Sequence, residues 1–315
     1  MQRILVTGAA TWTGGTLIGV LEQRVGVEVF AVDDQEPRVE FASDFQRLSL
    51  DRLSFARYLL DIEPTTVVHL QTVDRSGAVG GRRAHEESVV GAQALFGAIG
   101  RSRSVQRVIV KSDGAFYGTS PRNPSVLTEE LAGRGQASQY ERDLQDMEEF
   151  VRATEAAQEG TEFTVLRFAP IIGPNVSNPL SRYLTLPVMP TKMGFDPRLQ
   201  FIHELDAVGA ILHSIDADIS GTFNIAARGQ LFLSRVLRLG LRIPQPLPGR
   251  LFDSAIRGLA RIDLVIPEHT VAMLKHGRVM DTALMIEALH FHPRFTCRQA
   301  VLSMYGRLPA LVDAQ

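Results

Sequence analysis

A glycine-rich turn lies between the first apolar run of the chain and its first helical stretch, and few folds accommodate one there. Arg3-Ile4-Leu5-Val6 reads as a strand, and Val6-Thr7-Gly8-Ala9-Ala10-Thr11-Trp12-Thr13-Gly14-Gly15 leads into a helix over 16–24. Glycine at such a turn admits positive φ and lets backbone N–H groups approach an anion at the helix N-terminus. Val27 to Val32 reads as the next strand, ending at Asp33-Asp34. The alternation then repeats, with a helix over 53–62, a strand over 66–70, and a helix over 84–99 with apolar residues at period 3.6. Arg107 to Val110 reads as a strand, 112–135 as a Gly/Ser/Pro/Asn-rich stretch, 140–157 as a charged amphipathic helix, and Phe163 to Leu166 as a sixth strand. Near-continuous apolar strands separated by helices predict an α/β fold, a doubly wound parallel sheet covered on both faces.

After Arg167 the pattern changes. Prolines at 170, 174, 179, 187, 190 and 197 interrupt the chain before a helix over 206–215. The predicted division is a dinucleotide-binding domain over 1–170 and a smaller substrate-binding region over 171–315. Segments of the second are free to cross back into the first.

Composition removes several function classes. A net charge of -2 argues against a dedicated nucleic-acid binder. No apolar run approaches the ~18 residues of a spanning helix. The chain enters a strand-like run directly after Met1-Gln2, which leaves no room for a signal peptide, so a cytoplasmic location is expected. A single cysteine, Cys297, excludes an internal disulfide and a cysteine-cluster metal site. His290-Phe291-His292 would share a face on a strand but lack a third ligand, so no metal is expected.

The turn itself reads as a dinucleotide site. Asp33 lies about 25 residues beyond Gly8, at the end of the second strand, where a carboxylate accepts hydrogen bonds from a ribose diol. That favours NAD over a 2′-phosphorylated cofactor. Thr7-Gly8 with Gly14 resembles the TGxxGxxG turn of the extended short-chain dehydrogenases/reductases, the NAD-dependent epimerase/dehydratase group that includes UDP-glucose 4-epimerases. Val67-Val68-His69-Leu70 resembles that family's VVHLAA, Glu87 to Gly91 its xNVxG, and Phe116-Tyr117-Gly118 its VYG. Leu166-Arg167 with Gly173-Pro174 resembles LRxxxxxGP, and Ile202 to Asp206 resembles IHVxD. Gly221 to Ile225 resembles GxxxNI, and Met280-Asp281-Thr282 the late DxS/T segment.

The resemblance implies a Rossmann domain whose NAD lies over Gly8, Thr11, Trp12, Thr13 and Gly14, with Asp33 at the ribose and Leu70 on the strand beside it. Thr11 replaces the family's middle glycine; its β-carbon crowds the pyrophosphate, while its hydroxyl can donate a hydrogen bond in return. Trp12 either shields the dinucleotide or packs on the first helix. Asp51 matches an adenine-contacting acid, or is simply a helix N-cap.

Family catalysis uses a Tyr phenol as acid/base, a Lys four residues later on the same helix face, and a Ser or Thr ending the fifth strand. The five tyrosines are Tyr58, Tyr117, Tyr140, Tyr183 and Tyr305, and none is followed four residues on by lysine. Tyr140 occupies the tyrosine position, Leu144 the lysine position and Asp113 the Ser/Thr position. Thirty of the 33 basic residues are arginine, leaving Lys111, Lys192 and Lys275. Lys111 and Asp113, two apart on a strand, share a face. Either Lys111 delivers the missing ammonium, with Asp113 as base or orienter, or the two form an inert ion pair at the cleft mouth.

The family's diphosphate-holding positions carry Pro170 and Leu199; Arg182, Arg198 and Arg278 are the candidate substitutes. Asp143, Glu148 and Glu149 read as a solvated helix face. Two functions follow. One is an NAD-dependent epimerase/dehydratase acting on a sugar nucleotide or another small hydroxyl/keto substrate by hydride transfer. The other is a catalytically inactive relative that binds a dinucleotide or metabolite as a sensor. A homodimer through the 84–99 and 140–157 helices is one option.

Overall fold

A computed structural model describes residues 1–50, 53–71, 89–133 and 138–308. Its centre is a seven-stranded sheet in which every pairing is parallel. Six strands come from the first half: β1 (Gln2–Thr7), β2 (Val27–Asp33), β3 (Asp44–Arg47), β4 (Thr66–His69), β5 (Arg107–Asp113) and β6 (Glu162–Phe168). The seventh, Gly221–Ile225, belongs to the second half and lies at the edge beyond β6, so the sheet itself does not end at residue 170.

Alternation along each strand feeds two apolar layers. Ile4 and Val6 of β1 pack with Leu17, Ile18 and Leu21 of the helix α1 (Trp12–Leu21) on one face. Leu5 packs with Phe30, Phe55 and Leu59 on the other, the last two from α2 (Leu53–Ile62). The Gly91–Ile99 helix turns its apolar stripe onto this second layer. The smaller region adds three two-stranded pieces: Ile171–Ile172 with Ile202–His203, Arg198–Leu199 with Leu231–Phe232, and Val188–Lys192 with Ile243–Leu247. No helix among the described residues is long and apolar enough to cross a membrane.

Three sequence expectations need correction. Helix α1 starts at Trp12 rather than at 16, because Thr11 caps it. His290 to His292 lie outside any strand, with His290 at φ 55°, so the two imidazoles do not share a strand face. Asp143 and Glu148, expected on a solvated face, are 5 % and 1 % exposed.

The reason for Glu148's burial is Arg167. That guanidinium donates from Nη2 to Glu148 Oε2 at 2.6 Å and from Nη1 to the Tyr117 hydroxyl at 2.9 Å. It also sits 3.6 Å from the centre of the Phe116 ring. Ser112 donates to the same carboxylate at 2.6 Å, and Tyr117 donates to Asn224 Oδ1 at 2.7 Å. One buried cation thus ties β5, β6, the Gln139–Ala157 helix and the edge strand together. Breaking such a pair by removing one partner costs about 3–5 kcal/mol.

Candidate active site

A cleft of about 700 Å³ runs along the C-terminal ends of the central strands. At one end lies the glycine turn. Gly8 has φ 80°, and a β-carbon there would stand 2.8 Å from the Gln71 amide nitrogen. A β-carbon on Gly14 would collide with the Gly8 carbonyl oxygen. Only glycine satisfies both positions.

Thr11 is spent within this turn. Its Oγ1 donates to the Gly8 carbonyl at 2.9 Å and accepts from the Gly14 amide at 3.0 Å, while its carbonyl accepts from Gly15 N at 2.9 Å. This corrects the expected role of Thr11 as a donor to phosphate, since its hydroxyl proton is already committed to the backbone. The first four amides of a helix have no intrahelical partner. Thr11 satisfies Gly14 and Gly15, which leaves the first-turn amides of Trp12 and Thr13 at the positive end of α1, and both residues line the cleft. Trp12 also packs against the first apolar layer, the packing role considered for it.

Asp33 closes this end. It is 5 % exposed and accepts from Ala10 N at 2.9 Å and Gln35 N at 3.0 Å. Burial pushes its carboxyl pKa up, and the two backbone donors oppose that shift. A side-chain hydrogen bond with Asp34 adds to the upward shift, and a carboxylate with its four lone-pair sites still has room for a further hydroxyl. Leu70, Gln71, Arg38 and Arg47 complete the wall. Asp51 lies outside the described residues.

The other end of the cleft is lined by Lys111, Asp113, Tyr140, His269 and Arg278. Tyr140 stands in the first turn of its helix, whose start is fixed by a capping box between Ser138 and Glu141. Four residues on, Leu144 is 2 % exposed and belongs to the second apolar layer. Asp113 caps the short 3₁₀ turn Gly114–Tyr117, accepting from Ala115 N at 2.6 Å, and lies 3.5 Å from Arg278 Nη1. Burial holds the Lys111 ammonium below the ordinary lysine range, and the Asp113 charge opposes it.

His269 comes from the Glu268–His276 helix and lays its ring 4.7 Å from that of Tyr140, tilted by 35°. Burial, then the Arg278 charge, depresses its pKa to about 3, so it is neutral near pH 7. Sequence reasoning singled out histidines only as metal candidates or as parts of the family's strand motifs and missed this one; nothing local to Pro267-Glu268-His269 marks it. Among the described residues no group of three His, Cys, Asp or Glu is placed to hold a metal.

The three candidate substrate arginines separate. Arg182 donates to the Asp263 carbonyl and Arg198 to the Ser125 carbonyl at 3.3 Å, and neither lines the cleft. Arg278 does, but beside Asp113 rather than along the wall formed by residues 170–171 and 175–180. Pro170 is part of that wall, whereas Leu199 is fully buried. Glu204 fixes the loop by accepting from Asn175 N at 3.0 Å and Val176 N at 2.9 Å.

Comparison with known proteins places this arrangement in context. A family profile described as the NAD dependent epimerase/dehydratase family matches residues 4–226. An uncharacterized protein of Mycobacterium tuberculosis is 38% identical over 308 residues, covering 94% of this chain and 81% of that protein. Among solved structures, MoeE5 in complex with UDP-glucuronic acid and NAD superposes with a TM-score of 0.75 at 21% identity, over 97% of this chain and 98% of that one. The UDP-glucuronic acid 4-epimerase from Bacillus cereus, in complex with UDP-glucuronic acid and NAD, gives 0.76 at 15% identity, over 98% and 99%. At these identities the structural likeness speaks to the fold.

Proposed function

The chain belongs to the NAD-dependent epimerase/dehydratase family, and from that premise we propose that it binds NAD in the cleft between Gly8 and Tyr140 and oxidises a hydroxyl, or reduces a keto group, of a small substrate. The substrate class is a sugar nucleotide or another small hydroxyl/keto compound. One observation carries the reading: Tyr140 lines the same cleft as the glycine turn and Asp33.

The residues present suit the cofactor. Gly8 and Gly14 keep the turn free of β-carbons, the Trp12 and Thr13 amides and the positive end of α1 suit a diphosphate, and Asp33 retains acceptor capacity for a ribose diol. A cleft of this size falls within the roughly 300–1,000 Å³ of ordinary small-ligand sites. NAD would supply the hydride acceptor.

The chain's own task is to move the proton. Tyr140 Oη takes the proton of a substrate hydroxyl and returns it in the reverse direction. The neutral His269 ring packs against the phenol and limits its orientations. Asp113, bound to Ala115 N and facing Arg278, orients that wall instead of acting as the base. The test is a thermal-shift titration with NAD, followed by nicotinamide absorbance with a panel of sugar nucleotides and simple alcohols. Stabilisation by NAD is expected, together with turnover on some member of the panel that falls about 10²–10⁴-fold in Tyr140→Phe.

The buried Leu144 favours a second reading, a dinucleotide-binding relative that does no chemistry. That reading gains if NAD stabilises wild type and Tyr140→Phe alike and neither turns over any compound.

A further inference from the structure

The family's cation for the tyrosine stands four residues along the same helix, and here that position is core. The C-terminal half supplies a different cation to the same wall. We propose that Arg278 provides the positive charge that Tyr140 uses, as a positioning residue replacing the family's lysine; this rests on reading Tyr140 as the acid/base.

The chain is built to bring Arg278 there. Its amide donates to the Arg198 carbonyl at 3.0 Å, and Gly277 before it has φ 81°. A β-carbon on Gly277 would stand 2.7 Å from that carbonyl oxygen, so only glycine allows the approach. The side chain is clamped as well. Nη2 donates to Thr119 Oγ1 at 2.9 Å, Nη1 faces Asp113 at 3.5 Å, and Nε is buried without a hydrogen-bond partner. At Gly114 a β-carbon would lie 3.5 Å from Arg278 Cδ. The residue is 6 % exposed and lines the same cleft as Tyr140 and His269.

Lys111 is the competing cation. It shares the wall, and burial works against the charged form of both residues; the difference is that a lysine ammonium yields to burial readily, whereas a guanidinium starts from so high a pKa that it stays protonated. The charged and titratable groups on this wall are Lys111 and Asp113 from β5, His269 from the Glu268–His276 helix, and Arg278, and Glu141 of Tyr140's own helix is buried away from the cleft. Asp113 and Glu141 offset part of the positive charge, and His269 is neutral near pH 7.

Phenolate absorbance of the apoprotein tests this without cofactor or substrate. Tyr58, Tyr117, Tyr183 and Tyr305 are all pushed upward chiefly by burial, Tyr305 to about 12, which leaves the low-pH window to Tyr140. We expect one tyrosine with a midpoint at least about one pH unit below the ordinary ~10, absent in Tyr140→Phe. In Arg278→Gln that midpoint rises by about one unit or more, in Arg278→Lys most of the shift is retained, and in Lys111→Met it moves less. If Arg278→Gln does not fold, Asp113→Asn/Arg278→Gln removes both members of the 3.5 Å pair at once. Its midpoint should return toward ~10. No low tyrosine in wild type, an unmoved midpoint in Arg278→Gln or the double variant, or a larger effect of Lys111→Met would each overturn the assignment. A protein that passes this titration but binds no NAD loses the proposed function alone. One that binds NAD and fails the titration loses only the role of Arg278.

Discussion

The two ends of the cleft are made of different material. The nucleotide end is backbone: Gly8, Gly14, the first-turn amides of α1, and an aspartate held by two backbone donors. The Tyr140 end is side chains drawn from three distant segments, around 111–113, 140 and 269–278. Replacement of the family's middle glycine by Thr11 leaves the backbone end intact, because the threonine hydroxyl turns inward and caps the helix. Replacement of the lysine by Leu144 changes the other end outright, because an isobutyl group packs into the core and takes no part in charge. A site written in backbone absorbs a side-chain change; a site written in side chains must find its charge elsewhere.

The harshest way to break this contrast is Gly14→Val. Its β-carbon meets the Gly8 carbonyl, so the turn must open. We expect NAD stabilisation to vanish and chemical denaturation to show a loss of about 3 kcal/mol. A Gly14→Val protein that keeps wild-type NAD affinity would show that the turn is not the site.

Leu144→Lys tests the opposite end. Restoring the family's residue places an ammonium in a spot 2 % exposed, lined by apolar neighbours. A stability loss of about 2–3 kcal/mol is expected, with no gain in turnover. A stable variant with higher turnover would mean that position 144 still faces the chemistry.

Acid acts on both ends alike. His69, bound to Thr7 Oγ1 at 2.8 Å beneath the glycine turn, and His269 beside Tyr140 both have pKa values depressed to about 3, chiefly by burial. Depressed folded values mean that this stability is fully present above the unfolded value of 6.5 and is lost as pH falls toward 3. Each histidine adds about 1.4 kcal/mol of lost stability per pH unit in that window. Denaturation series at falling pH should therefore show His269→Gln flattening the slope by one proton. An unchanged slope would mean that His269 is accessible and charged.

Thr11→Gly is the smallest change. It loses a cap hydrogen bond at a cost of a few tenths of a kcal/mol, with NAD affinity within about threefold of wild type. A large gain in affinity would show that the Thr11 β-carbon obstructs the pyrophosphate after all.

Much of the fold was legible because buried parallel strands and period-3.6 helices write themselves locally. Strand β3 was not, since Asp44-Phe45-Gln46-Arg47 is a short, polar edge with no apolar run. Glu148 looked solvated because its partner, Arg167, lies on the far side of a connection and joins it only through the folded sheet. The glycine turn and Asp33 were readable for the same local reason as the strands. His269 and Arg278 were not assigned to the catalytic wall, because their contacts with Tyr140 and Asp113 span more than a hundred residues and carry no periodic signature. The absence of a lysine four residues after any tyrosine was plain in the sequence, whereas the placing of Arg278 in the same cleft as Tyr140 emerged only in three dimensions.

Amide hydrogen exchange on the intact protein, with and without NAD, addresses the claim that a single cleft joins both ends. The account predicts that NAD slows exchange together in peptides spanning 8–15 and in those spanning 138–144 and 268–273. Unchanged exchange at 8–15 with saturating NAD, or protection confined to another face of the sheet, would contradict it.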